Sequence, residues 1–325
     1  MRAIVFDPHT GTFCEQVRPL PQPAEGEVLL EVEACGMCRT DVHIVDGDLP
    51  LTEPRVLGHQ IVGRVIESRS DITVGARVGV PWLGGVCGTC RFCRTGRENL
   101  CDHAVFTGYT RDGGCATHAV ADARFCFELP EDQDPVRLAP LLCAGLIGHR
   151  AWRLAGQART LGIYGFGAAG HILCQVATQQ GQRVFAFTRP GDRDGQAFAR
   201  ELGAFWAAGS DEPPPEPLDA AILFAPVGAL VPRALEAVDK GGIVVCGGIH
   251  MSDIPSFPYR LLWEERQIRS VANLTREDGR SLFALIRHTP VDVHVETWPL
   301  RDAPAAIDAI RSGRVAGAAV VIPEK

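Results

Sequence analysis

The sequence predicts an α/β protein with a β-rich N-terminal region, barrel-like in pattern, followed by a doubly wound parallel sheet. Three observations predict it. Residues 1–135 carry short apolar runs separated by turn residues. From residue 160 onward, strand-like and helix-like segments alternate, the pattern of a parallel sheet with crossover helices. The first of those strands runs into Gly165-Phe166-Gly167-Ala168-Ala169-Gly170 and then into an apolar-periodic helix.

Bulk properties narrow the class. The chain of 325 residues is long enough for two domains with separate cores, and 46% apolar with 22% charged residues is ordinary globular composition. A net charge of −7 argues against a nucleic-acid partner. No apolar run approaches the ~18 residues of a membrane span. The start, Met1-Arg-Ala-Ile-Val-Phe-Asp-Pro8, reads as a first strand and not as a secretion signal. Twelve cysteines without such a signal suggest metal ligands or buried thiols before disulfides, and a cytoplasmic location is the expectation.

In the N-terminal region, Val28–Cys35 alternates apolar and polar side chains as a half-buried strand does, and residues 61–67 and 76–80 are further short strands. Between them lie Cys38-Arg-Thr-Asp-Val-His43 and Gly58-His59-Gln60. A thiolate and an imidazole suit zinc, Thr40 and His43 can pass a proton, and Asp41 can accept the remote N–H of a metal-bound histidine. Taken alone, a Cys and a His this far apart are more often two unrelated residues than a pair of zinc ligands. Cys87, Cys90, Cys93 and Cys101 form a stronger motif: four thiols in one short loop can wrap a tetrahedral zinc and leave no position open. A four-cysteine iron–sulfur cluster is the alternative. Arg91, Arg94 and Arg97 among them are expected to ease thiolate formation.

Residues 136–155 read as one long apolar helix containing Cys143, which on its own is better explained as a buried small side chain than as a ligand. The Gly165/Gly167/Gly170 turn then has the strand before it and the helix after it that a dinucleotide fingerprint requires. Strands at 183–188, 219–225 and 242–247 alternate with helices at 192–202 and 228–239, and Pro213–Pro217 marks a surface loop. The last of these strands fits either a pairing surface near the sheet edge or plain core. At the end of the second strand stand Thr188 and Arg189 in place of an acidic residue. A guanidinium there suits a 2′-phosphate, so NADP(H) is expected over NAD(H), with Asp192 and Asp194 near enough to reverse that preference.

Several of these motifs, in this order, resemble one family over essentially the whole chain: the zinc-dependent alcohol dehydrogenases of the medium-chain dehydrogenase/reductase superfamily. The resemblance rests on Gly36-Met-Cys-Arg-Thr-Asp41, Gly58-His59, the four-cysteine loop, Ala139-Pro-Leu-Leu-Cys143-Ala-Gly145 and the glycine turn. It implies a GroES-like, β-barrel-type catalytic domain over residues 1–139, completed by 273–325, and a Rossmann doubly wound domain over 140–272. It implies two zinc ions per chain: a catalytic one on Cys38, His59 and Cys143, and a structural one on the four-cysteine loop. Cys143 becomes a ligand on this basis alone, and a Cys in that place, where the polyol branch holds Glu, makes polyol activity less expected. The resemblance further gives Arg39 to the cofactor pyrophosphate, Thr40 and His43 to a proton relay, Asp41 to the support of a zinc ligand, and Leu49 and Trp82 to the substrate pocket. Leu49, smaller than the aromatic side chain of several relatives, suggests room for alcohols larger than ethanol.

Two departures stand out. Gln60 replaces the usual Glu, and the run Arg314–Val320 has small residues where many relatives hold an Arg against the cofactor. The implied activity is reversible oxidation of primary alcohols, medium-chain or aromatic ones included, with hydride transfer to NAD(P), in a homodimer or homotetramer. Two alternatives are an NADPH-dependent aldehyde reductase and a non-catalytic, redox-responsive binder of zinc and dinucleotide.

Overall fold

The computed structural model describes residues 1–315 and 317–324. It divides into two compact units: Met1–Cys143 with Asn273–Arg287 and Val293–Lys325, and Ala144–Ala272 with His288–Asp292.

The hub of the first unit is the strand Glu27–Met37. Along one side it pairs antiparallel with Gln60–Ser68; on the other, His118–Asp122 covers its first half and Ala318–Ile322 its end. Arg77–Val80 and Phe127–Glu128 extend the sheet in one direction and Val295–Pro299 in the other. Two register shifts, at Leu29/Leu30 and Val32/Ala34, bend the hub strand. Val28, Leu30, Val65, Val78 and Val80 bury one face of this sheet. Each such side chain contributes roughly 1.5–3 kcal/mol through burial. A second cluster, including Phe6, Val42, Ile44, Leu57 and Val321, fills the space beneath the helix Arg39–Val45. That helix and Ala303–Arg311 were not legible as helices in the sequence.

The second unit is a six-stranded parallel sheet. Its order is Trp206–Gly209, Arg183–Thr188, Thr160–Tyr164, Leu218–Leu223, Val238–Cys246 and Gln267–Ser270. Thr160–Tyr164 has the next strand on one side and the fourth on the other, so the order reverses there. The carboxyl end of such a switch strand is where open α/β sheets bind ligands, and here it leads into the glycine turn. Val238–Cys246 is flanked by strands on both sides and buried from Ile243 to Cys246, so the expected strand at 242–247 is core and not a free edge. Cys174 is buried in the helix Ala168–Gln179. The two outer strands are only four residues long, too short for a periodic signal.

The single helix expected over 136–155 is broken. The chain forms Pro135–Leu138, then a 3-10 turn Ala139–Leu142, then leaves helical geometry at Cys143 (φ −131°, ψ −69°) before Ala144–Ala155 begins. Pro140 explains the break: it has no N–H for the helical ladder, and its ring would clash with the carbonyl four residues back. Among the described residues no helix is long and apolar enough to cross a membrane.

Candidate active site

Cys38 follows the hub strand and caps the helix Arg39–Val45. Its sulfur accepts from the Thr40 amide at 3.4 Å, while the Asp41 carboxylate accepts from the Cys38 amide at 2.8 Å, a reciprocal capping box that fixes the Cys38 backbone and side chain together. His59, 1% exposed, lies in the turn before Gln60–Ser68. Cys143 stands at the helix break, where its non-helical backbone frees the side chain from the helix face. These three converge. Cys38 Sγ lies 3.3 Å from His59 Nε2 and 3.9 Å from Cys143 Sγ, and all three donor atoms are within 4.8 Å of one another. Donors ~2.3 Å from a shared tetrahedral centre lie ~3.7 Å apart, so the spacing fits one zinc with a fourth position left over.

The electrostatics point the same way. The hydrogen bond from Cys143 holds the Cys38 thiol well below its usual range, against the effect of burial and with help from His59. That same bond, with burial, pushes Cys143 well up. Burial alone would lower His59, but the charges of Cys38 and Asp41 raise it well above an ordinary histidine. The negative charge of Cys38 and Asp41 that raises His59 would equally attract a cation placed between the donors.

Asp41 is fully buried. Its Oδ1 accepts from the Gly58 amide at 3.2 Å and sits 3.6 Å from His59 Nδ1, close enough to attract it electrostatically but too long for a hydrogen bond. Gly58 (φ +88°) must be glycine, since a Cβ would meet Cys35 Sγ at 2.5 Å. Gln60 is 2% exposed and packed on Gly36, with no partner for Nε2 among the described residues. On the short helix, Thr40 and His43 are three residues apart and share a face. Arg39 is exposed.

Trp82 meets His59 edge-on at 5.0 Å. It stacks on Phe106 (5.0 Å) and Tyr109 (5.8 Å), and the Tyr109 hydroxyl donates to the Pro50 carbonyl at 3.1 Å, beside Leu49. Trp82, Leu49 and Tyr109 pack against the same core cluster. Phe106 and Tyr109 were not singled out from the sequence; the only signal was two aromatics shortly after Cys101 in a chain that is 7% aromatic.

The four-cysteine loop is a second cluster. Cys87 Sγ lies 3.9 Å from Cys93 Sγ and 3.5 Å from Cys101 Sγ, and Cys90 lies 3.5 Å from Cys93. Four donors at these separations surround one tetrahedral centre. The expectation for the arginines needs correction. The Cys87 thiol falls to about 6 chiefly because the amides of Thr89 and Cys90 point at it, while burial first, and then the neighbouring thiols, push Cys93 up to about 12. Arg91 and Arg97 lie over the Phe92 ring instead, at 4.5 and 5.5 Å.

In the second unit the three fingerprint glycines differ in what they face. Gly165 (φ +93°) would put a Cβ 2.7 Å from the Ala225 amide, and Gly170 would put one 2.5 Å from the Gly165 carbonyl. Gly167, the N-cap of Ala168–Gln179, has nothing within 4 Å of its Cβ position. Two glycines therefore close the turn, and the third leaves space at a helix N-terminus, where backbone amides and the helix dipole favour phosphate. Thr188 is buried, its hydroxyl donating toward the Arg189 and Ala208 carbonyls. Arg189 is exposed, and its carbonyl also accepts from the Asp192 amide. Asp192 caps the helix Arg193–Glu201, accepting from the Gly195 amide at 2.9 Å, so its carboxylate is already engaged. In the run Arg314–Val320, Ala316 lies outside the described residues, and Ala318–Val320 belong to a buried strand.

The family model for the alcohol dehydrogenase GroES-like domain matches residues 24–131. A Mycobacterium tuberculosis protein named "Probable alcohol dehydrogenase AdhA" is 45% identical, over 96% of this chain and 93% of that one. The chain belongs to the zinc-dependent alcohol dehydrogenases of the medium-chain superfamily. An alcohol dehydrogenase from Geobacillus stearothermophilus is 34% identical, over 93% of each chain. Among solved structures, the acetophenone reductase of Geotrichum candidum in complex with NAD superposes with a TM-score of 0.87 at 25% identity, over 99% of this chain and 96% of that one. The GroES-like domain and the parallel Rossmann-type sheet of this alcohol dehydrogenase family are the two architectures described above.

Proposed function

We propose that this alcohol dehydrogenase carries two zinc ions and reversibly oxidises primary alcohols, aromatic and medium-chain ones included, using NADP(H) in preference to NAD(H). The observation that supports this best is the meeting of Cys38, His59 and Cys143 at one point beside the Trp82 wall. A zinc ion held there would supply a Lewis acid to the alcohol hydroxyl, and a bound nicotinamide cofactor would supply the hydride acceptor. The chain's own residues do the rest. Cys38, Cys143 and His59 hold the metal, and the capping box keeps Cys38 in place. Asp41 anchors the turn that aims His59. Thr40 takes the hydroxyl proton and His43 releases it to solvent. Trp82, Phe106 and Tyr109 form an apolar wall that excludes water, and Leu49 leaves room above it. Cys87, Cys90, Cys93 and Cys101 close around the structural ion.

The preference for NADP(H) rests on Arg189, exposed at the end of the second strand, and on Asp192, whose carboxylate is committed to its helix. The likeness to an acetophenone reductase favours a second reading, net reduction of an aryl carbonyl. Metal analysis beside turnover of a short, a long and an aromatic primary alcohol, each with NAD and NADP, tests the proposal. Two zinc per chain with turnover supports it; one zinc without turnover overturns the catalytic site.

A further inference from the structure

We propose that Asp48 is a positioning residue for His43, fixing which ring nitrogen receives the substrate proton. This rests on the reading above, in which His43 ends the proton relay. His43 Nδ1 lies 2.7 Å from Asp48 Oδ2. A carboxylate is acceptor-only at working pH, so this contact places the neutral imidazole's proton on Nδ1 and leaves Nε2 as the basic nitrogen. When Nε2 takes the proton from the Thr40 side of the relay, Asp48 faces the resulting imidazolium and stabilises it. The proton then leaves from the ring to water; no proton passes to Asp48, and the imidazole returns to its starting tautomer.

The arrangement is built by the chain locally. The helix Arg39–Val45 ends with the Asp46 amide donating to Val42 O, and Gly47 (φ +84°, open space at its Cβ) reverses the chain in the left-handed region that only glycine enters without strain. That reversal returns Asp48 to the ring five positions earlier. The Leu49 amide donates to the His43 carbonyl at 3.1 Å, and the Pro50 carbonyl is held by Tyr109, so the segment is fastened on both sides of Asp48's backbone. Arg311, from the helix Ala303–Arg311, pairs with Asp46, two positions before Asp48, at 2.7 Å and with Asp308. Asp48 is half exposed and His43 mostly covered, so the pair lies at the edge of solvent.

The test is a double-mutant cycle with Asp48→Asn and His43→Asn in the zinc-loaded enzyme, read as the single-turnover rate of nicotinamide reduction by an alcohol and as steady-state kcat and KM. An amide presents either a donor or an acceptor to Nδ1, so the tautomer is no longer enforced. Asp48→Asn is expected to slow the single turnover roughly tenfold with KM for the alcohol within about twofold. His43→Asn is expected to cost at least as much, and the double variant no more than His43→Asn alone, because Asp48 acts only through the ring. Asp48→Asn turning over at the parental rate, or its loss adding in full to that of His43→Asn, overturns the inference while leaving the relay intact. A His43→Asn enzyme as fast as the parent overturns the relay and the inference together.

Discussion

Cys87, Cys90, Cys93 and Cys101 come from a stretch whose ends are 14 positions apart, whereas Cys38 and Cys143 are 105 positions apart. The first cluster is made by a loop folding on itself with backbone amides turned toward a sulfur. The second needs a strand end, a helix cap, a glycine turn and a helix break to arrive at one place. Their environments differ as well. Each holds one buried donor, Cys101 in the loop and His59 in the other cluster, among half-buried ones, but His59 is also walled by Trp82. Around a zinc, four donors would close the coordination shell and staple the chain, whereas three donors beside an aromatic wall would leave a position for a reactant. A metal site's task is therefore readable from how its ligands are delivered as well as from what they are.

Substitutions can break this contrast. The largest effect on activity is expected for Cys38→Ser: kcat/KM falls by roughly a thousandfold or more, zinc falls from two per chain to one, and the melting temperature stays close to the parent's. Near-parental activity in a folded, metal-analysed variant would sink the catalytic assignment. Cys93→Ser should do the reverse. It should cost at least about 3 kcal/mol, a fall of roughly 4–5 °C in the melting temperature of a chain this size, with the remaining folded enzyme still turning over. Unchanged melting would show that the loop is no staple.

The smallest expected effect sharpens how the loop is held. Glu98, buried within it, accepts from both the amide (3.0 Å) and the guanidinium (3.1 Å) of Arg276. Burial alone would raise the Glu98 carboxyl, yet these partners hold it below the usual range. A depressed folded value means the contribution is present above the unfolded value, ~4.3, and is lost as pH falls through the folded one. Glu98→Gln should therefore destabilise by about 1–2 kcal/mol at neutral pH. In denaturant titrations the gap from the parent should shrink below about pH 4; a gap that stays constant with pH would mean the charge contributes nothing.

The local pieces were the legible ones. The four-cysteine loop and the glycine turn are contiguous, and spacing alone carries their chemistry. Strands such as Arg183–Thr188 announced themselves because a parallel strand buried on both faces is continuously apolar. Cys143 was not legible by itself. Its neighbours are apolar, and only family resemblance lifted it from core to ligand; the structure supplies the physical reason, since Pro140 breaks the helix and turns that cysteine out. Asp48, Phe106 and Tyr109 were missed because each matters through a partner distant in the fold or set by one turn, which no period or motif encodes.

By itself, the sequence determined the class of fold, the loop of four thiols and the glycine turn, because each depends on residues near one another along the chain and on backbone rules that act locally. The tertiary structure alone decided that Cys38, His59 and Cys143 share one point, that Trp82 stands beside it, and that Asp48 returns to His43. Bringing such residues together requires the packing of strands and helices around a common core, and the free energy of that packing belongs to no single stretch of the chain.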